Sequence, residues 1–218
     1  MKQVLFCALV IATGALSPLA SAQTPTREMG AANVQIQARQ QISGFEDALE
    51  NAVRLGAQLF ERRLQASSAA NMVMVAGLTR ARGFRLDDYG VLFDVEFPSM
   101  RRSMVWTMQE LERAMSGKPR QVNEVTSTVQ PREIYQTEIT NALVTAILDY
   151  PSSVGVGAQE WLTIAARESV VNRRIVPGEP GDTAITIIVR IKGSDLNALR
   201  ERRLSREDVR KRVEIKQY

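Results

Sequence analysis

Apolar side chains recur along this chain with two different periods, and the period assigns each stretch to a helix or a strand. Phe45, Leu49, Ala52, Val53, Gly56, Leu59, Phe60 and Leu64 stand three and four residues apart, opposed by Glu50, Arg54, Glu61 and Arg62. That is the stripe of an amphipathic helix. Ser43-Gly44-Phe45-Glu46 has the S-x-x-E form of a capping box, so the helix is predicted to begin there. Met72 to Ala76 is a short apolar run, a strand or the approach to one. Val91, Phe93, Val95 and Phe97 then alternate with Leu92, Asp94 and Glu96, the period-two mark of a strand with one wet face. Phe84 and Leu86 lie on the incoming arm and Asp87-Asp88-Tyr89-Gly90 supplies the turn, which predicts a β-hairpin ended by Pro98.

Ser99 is placed to cap a second helix with Met104, Val105, Met108, Leu111 and Met115 on one face, stopped by Gly117-Lys118-Pro119. Residues 118–130 read as a polar loop. Pro131 suits the first turn of a third helix, whose stripe is Tyr135, Ile139, Ala142, Leu143, Ala146, Ile147 and Tyr150. A glycine-containing turn leads into a strand over Glu160 to Arg167, and Pro177, Gly178, Pro180 and Gly181 mark a loop. Ile185, Ile187, Val189 and Ile191 line one face of the next strand, Thr183 to Lys192, and Ile188 suggests that its second face is partly covered. Ser194 and Ser205 can cap two short helices, and Val213 to Lys216 closes as an edge strand. The order predicts an α+β fold: an antiparallel sheet built from two hairpins plus a C-terminal edge strand, with about three amphipathic helices packed on it. Helix-plus-hairpin occurs twice in that order, but no internal repeat is strong enough to suggest a solenoid.

The first 22 residues have a different character. Met1-Lys2-Gln3 is a short basic n-region, Val4 to Leu16 an apolar h-region, and Ala20-Ser21-Ala22 an A-x-A cleavage site, which together predict a signal peptide. Thirteen apolar residues fall short of the roughly 20 that span a bilayer, so the segment does not read as an anchor. The predicted organisation is a signal peptide over 1–22, a polar linker over 23–42 and a single α+β domain over 43–218. The implied location is the periplasm or the exterior of a bacterium, with no transmembrane segment in the mature chain.

Composition acts mainly by exclusion. There is no histidine, which removes Ser-His-Asp and Cys-His catalysis and histidine-bearing zinc sites. The one cysteine, Cys7, lies within the signal peptide, so the mature chain carries no disulfide. Loss of Lys2 leaves 27 basic residues (28 − 1) against 24 acidic, a net charge of +3. That mild excess does not predict a polyanion partner, and export together with the lack of aromatics among the arginines of residues 200–212 argues against nucleic-acid binding.

The remaining chemistry is sparse. Asp87, Asp88, Asp94 and Glu96 are the densest acidic group, with the residue types for glycoside hydrolysis or a hard-cation site. A half-buried strand and its turn explain the same four residues. Gly155-Val156-Gly157-Ala158-Gln159-Glu160 begins like a phosphate-binding loop, but Glu160 stands where the third glycine belongs. Lys118 lacks the other Walker residues, and Lys192-Gly193-Ser194 lacks any reason for a buried, activated lysine. The run Arg200 to Arg212 is basic but interspersed with Glu201, Glu207 and Asp208, the pattern of a solvated helix with local ion pairs. Met72, Met74, Met100, Met104, Met108 and Met115 read as adaptable core filler, and Trp106 and Trp161 as core or interface anchors. No catalytic, cofactor-binding or metal-binding residue and no cofactor is predicted.

The stretch Gly83 to Pro98, the strand Glu160 to Arg167 and the turn Gly193-Ser194-Asp195-Leu196 resemble an uncharacterised family of exported bacterial proteins. The likeness spans about residues 45 to 216. It implies export and a single domain, and brings no activity, cofactor or site residue. The sequence therefore points to an exported envelope protein acting as a non-catalytic binding or structural domain, with another envelope protein as its partner. A carboxylate hydrolase acting on a cell-wall glycan and a small-ligand or lipid carrier are the alternatives.

Overall fold

A computed structural model describes residues 26–66, 73–117, 123–151, 154–169 and 184–218. Residues 1–22, predicted as a signal peptide, and residues 177–181, predicted as a loop, lie outside these residues. Helix α1, Thr26–Gln65, is followed by strands β1, Val73–Ala76, β2, Arg80–Leu86, β3, Gly90–Phe97, and β4, Ser99–Arg102. Helices α2, Met104–Met115, and α3, Asn123–Asp149, come next. The chain continues through β5, Trp161–Glu168, and β6, Thr186–Lys192, to helices α4, Gly193–Arg200, and α5, Arg206–Arg212, and closes on β7, Glu214–Gln217.

The α+β class is as expected, with both hairpins and the C-terminal edge strand in place. The main sheet runs β2-β3-β5-β6-β7, and β1 and β4 form a separate two-stranded antiparallel ribbon. The two hairpins meet in parallel, Gly90 opposite Trp161 through Phe97 opposite Glu168, so the sheet is mixed rather than wholly antiparallel. A parallel pair needs a long crossover, and the chain supplies one through β4, α2 and α3 between β3 and β5. Because β2 opposes β3 while β5 follows it, the second helix-plus-hairpin runs reversed and is no translated copy of the first.

One face of the sheet is buried. Val91, Phe93, Val95 and Phe97 continue across the register into Leu162, Ile164 and Ala166, then Ile187, Val189 and Ile191. Helices α1 and α3 cover them. Phe45 meets Phe93 edge-on at 4.9 Å between centroids, and Phe60 meets Tyr135 at 4.9 Å. The helices approach closely at Gly56, where a Cβ would stand 3.0 Å from Ala142 Cβ. Leu59 and Tyr150, predicted in the buried stripes, are exposed instead.

Four predicted helix starts shift. Helix α1 runs unbroken through Ser43 from Thr26, so Ser43-Gly44-Phe45-Glu46 is no capping box. Its carboxylate has another use. Glu46 Oε1 accepts the Gly83 N–H at 2.6 Å, and Glu50, predicted on the solvent side, accepts the Ala81 N–H at 2.9 Å. Four helical residues rise about 6 Å and two strand residues about 6.7 Å, so glutamates four apart match outward amides two apart on edge strand β2. The helix lies close enough that a Cβ on Gly83 would come within 2.4 Å of Ile42 Cγ2. Ser99 opens β4 rather than capping α2, and its hydroxyl donates to the Ala76 carbonyl at 3.1 Å. Helix α3 begins at Asn123, so residues 123–130 are helix rather than loop and Pro131 lies inside it, at the expense of one helical hydrogen bond. Helix α4 starts at Gly193 without a side-chain cap, whereas Ser205 caps α5 as predicted by accepting the Asp208 N–H.

The largest departure is α2. Its stripe forms as the spacing predicts, but it is not packed on the sheet: Met104, Val105, Met108, Leu111 and Met115 are all exposed.

Candidate functional site

Among the described residues, no helix packs on the second face of the main sheet. Partial cover, which Ile188 suggested, is present in places: Ile188 is half-buried among its strand neighbours Ala165 and Lys216, and Thr163 is buried where the Tyr89 side chain meets it. Period-two alternation places side chains on this face in rows that cross the strands. At one end Leu86, Gly90, Trp161 and Lys192 align, followed by Phe84, Leu92, Thr163, Arg190 and Glu214. At the other end stand Arg82 beside Asp94 and Arg80 beside Glu96, with Arg167 next to Glu96.

The first end is aromatic and cationic. Arg190 Cζ lies 4.2 Å above the Trp161 ring and Lys192 Nζ 5.4 Å from it, within cation–π range. Glu214 fixes the guanidinium through Arg190 Nε at 2.7 Å. Tyr89 folds back from the turn so that its hydroxyl meets Thr163 Oγ1 at 2.7 Å. Phe84 and Leu86 remain exposed beside them. At the second end Arg80, Arg82, Asp94, Glu96 and Arg167 line a shallow depression of about 140 Å³. Arg167 pairs with Asp94 at 3.3 Å.

The acidic group therefore does not assemble as a catalytic pair. Asp94 and Glu96 face the depression with arginines beside each of them. Asp87 and Asp88 sit at the hairpin turn by the other end of β3, with Asp88 at φ 60°. Among the described residues no group of three or more His, Cys, Asp or Glu side chains could hold a metal.

The glycine loop is occupied by its own chain. Gly157 N–H donates to Glu160 Oε2 at 2.7 Å, and Arg85 holds the same carboxylate with both oxygens within 3.0 Å while reaching the Gly155 carbonyl. A Cβ on Gly193 would meet the Gly157 carbonyl oxygen at 2.1 Å, so the segment after β6 packs on this loop instead of leaving it open. Ser194 donates its backbone N–H to Ala158 O. The basic run is likewise tied down: Arg206 bonds Asp149, Arg210 bonds Asn141 and Arg212 bonds Asp195. It latches α5 to α3 and α4. Lys118 and Met72 lie outside the described residues, as does the side chain of Trp106.

One polar cluster escaped the sequence reading. Glu168 continues the apolar phase of Leu162, Ile164 and Ala166, and a carboxylate at a core position was the available signal. It is buried, accepts the Met100 N–H at 3.1 Å, and has Arg132 at 3.8 Å. Tyr135 beside it donates to the Pro98 carbonyl at 2.6 Å. Burial, reinforced by the Glu168 and Glu61 charges, holds that phenol well above its ordinary range. These groups fasten the β1–β4 ribbon to the ends of β3 and β5. No known protein family, curated protein or solved structure matches the chain.

Proposed function

We propose that the protein is an exported bacterial envelope domain, non-catalytic, that binds another envelope protein through the open face of its sheet. The observation that carries this is the five-strand face, on which no helix packs among the described residues and where Phe84, Leu86 and Trp161 lie beside Arg190 and Lys192. Aromatic and arginine side chains held in place by neighbours are the groups that anchor protein interfaces. Export rests on the pattern of residues 1–22. The arginine neighbours of Asp94 and Glu96 weigh against a glycan hydrolase. The ring-to-ring filling between helices and sheet weighs against a carrier.

The test is native purification from the producing bacterium's envelope fraction, comparing wild type with Phe84→Asp and Arg82→Glu, both at exposed positions, with thermal unfolding of each variant checked against wild type. A stoichiometric companion protein lost in the variants supports the reading. A bare protein, a companion retained by both variants, or glycan hydrolysis abolished by Asp94→Asn or Glu96→Gln overturns it.

A further inference from the structure

We propose that α2 is a membrane-surface element, lying in the headgroup layer of an anionic lipid bilayer with its apolar stripe turned toward the acyl chains. Met104, Met108, Leu111 and Met115 are spaced four, three and four, which keeps them on one side of the helix. With Val105 they are 56–81% exposed. Gln109 and Arg113 occupy the polar side, and Glu112 stands at the border of the stripe beside Val105. The apolar face of the sheet is already covered by α1 and α3, so no vacant core awaits this helix. Contiguous exposed apolar surface on this scale marks an interaction site.

Area and charge choose the occupant. Twelve residues make a helix about 18 Å long. Paired with its copy it would bury a few hundred Å² per chain, short of the roughly 800 Å² per partner that stable complexes use. A bilayer sets no such minimum, because the helix need only submerge its own stripe. The sequence around the helix, residues 99–120, carries Arg101, Arg102, Arg113, Lys118 and Arg120 against Glu110 and Glu112, a net of +3 (5 − 2). Basic residues beside an amphipathic helix draw it to anionic headgroups within a Debye length. This surface is separate from the open sheet face, so either proposal can fail without the other.

The experiment is co-sedimentation of the protein, purified after export, with vesicles of equimolar phosphatidylglycerol and phosphatidylcholine and with vesicles of phosphatidylcholine alone. Wild type should partition onto the anionic vesicles and release as salt rises. Met108→Glu and Leu111→Glu, at exposed positions, should each weaken that partition at least about tenfold while thermal unfolding stays unchanged. Absence of partition overturns the proposal. So does partition that both variants retain, which would place the contact elsewhere, or a dimer in light scattering that the variants abolish.

Discussion

Glu46 and Glu50 replace a missing neighbour strand at the edge of the sheet, and removing them should loosen that edge selectively. Each accepts one outward N–H of β2, from Gly83 at 2.6 Å and Ala81 at 2.9 Å. A hydrogen bond to a charged group is worth about 1.5–3 kcal/mol net. Both sites are only half-buried, so the low end applies: about 1.5 kcal/mol for Glu46→Ala or Glu50→Ala, and about 3 kcal/mol together. That is a sizeable part of the roughly 5–15 kcal/mol typical of a domain. Gln variants keep the acceptor oxygen and should recover most of the loss. Urea unfolding at constant slope measures the totals, with exposed Asp47→Ala as a control expected within about 0.5 kcal/mol of wild type. Native-state hydrogen exchange supplies the local readout, because the Ala81 and Gly83 amides should exchange faster than their inward-bonded neighbours. A double alanine variant within about 0.5 kcal/mol of wild type, or unchanged exchange at those two amides, refutes the reasoning.

Gly83→Ala puts a methyl 2.4 Å from Ile42 Cγ2 and 2.5 Å from Phe93 Cε1, and should cost about 1–3 kcal/mol in urea unfolding, partly recovered when Ile42→Ala makes room. Tyr135 has its folded pKa raised above the unfolded value of 10.0, so its contribution is whole below pH 10 and declines as pH rises beyond it. Stability should then fall by about 1.4 kcal/mol per pH unit more steeply in wild type than in Tyr135→Phe; parallel alkaline curves would contradict the assignment. The Ser205 hydroxyl holds the Asp208 carboxyl below the usual carboxylate range. Ser205→Ala should raise that titration in NMR and shorten α5 by loss of its cap, and an unmoved Asp208 signal would contradict it.

The strands were readable because their apolar residues keep a period of two against one covered face. Val91 to Phe97 and Ile185 to Ile191 needed no partner to be recognised. Helix beginnings were less readable, since the same residues serve two purposes. Glu46, three residues after Ser43, satisfies a capping pattern in one dimension and bonds β2 in three. Pro131 likewise suits a first turn, yet the eight residues before it are helical as well. The parallel meeting of β3 with β5 is fixed by a crossover of more than sixty residues, beyond the reach of local alternation. Among site residues, Asp94 and Glu96 were visible as a pair, but the arginines that neighbour them come from β2 and β5.

Periodicity states that a face is apolar or wet and is silent on what covers it, which is why the two surfaces offered here as functional arise where that silence matters. Helix α2 has a regular stripe that none of the other described residues buries. The open sheet face shows the converse: Leu92, Trp161 and Ile188 sit in its polar phase, more apolar than a solvated surface requires. Both departures from a fully covered core occur in a protein whose interior elsewhere closes tightly, down to Gly56 against Ala142 and Gly193 against the Gly157 carbonyl. A chain that packs its glycines within contact distance of neighbouring backbone has the means to bury five methionine, valine and leucine side chains. Leaving them exposed on α2 is therefore a property with a cost to the isolated molecule, about 0.8 kcal/mol for each methylene kept in water, recovered when that helix meets an apolar phase.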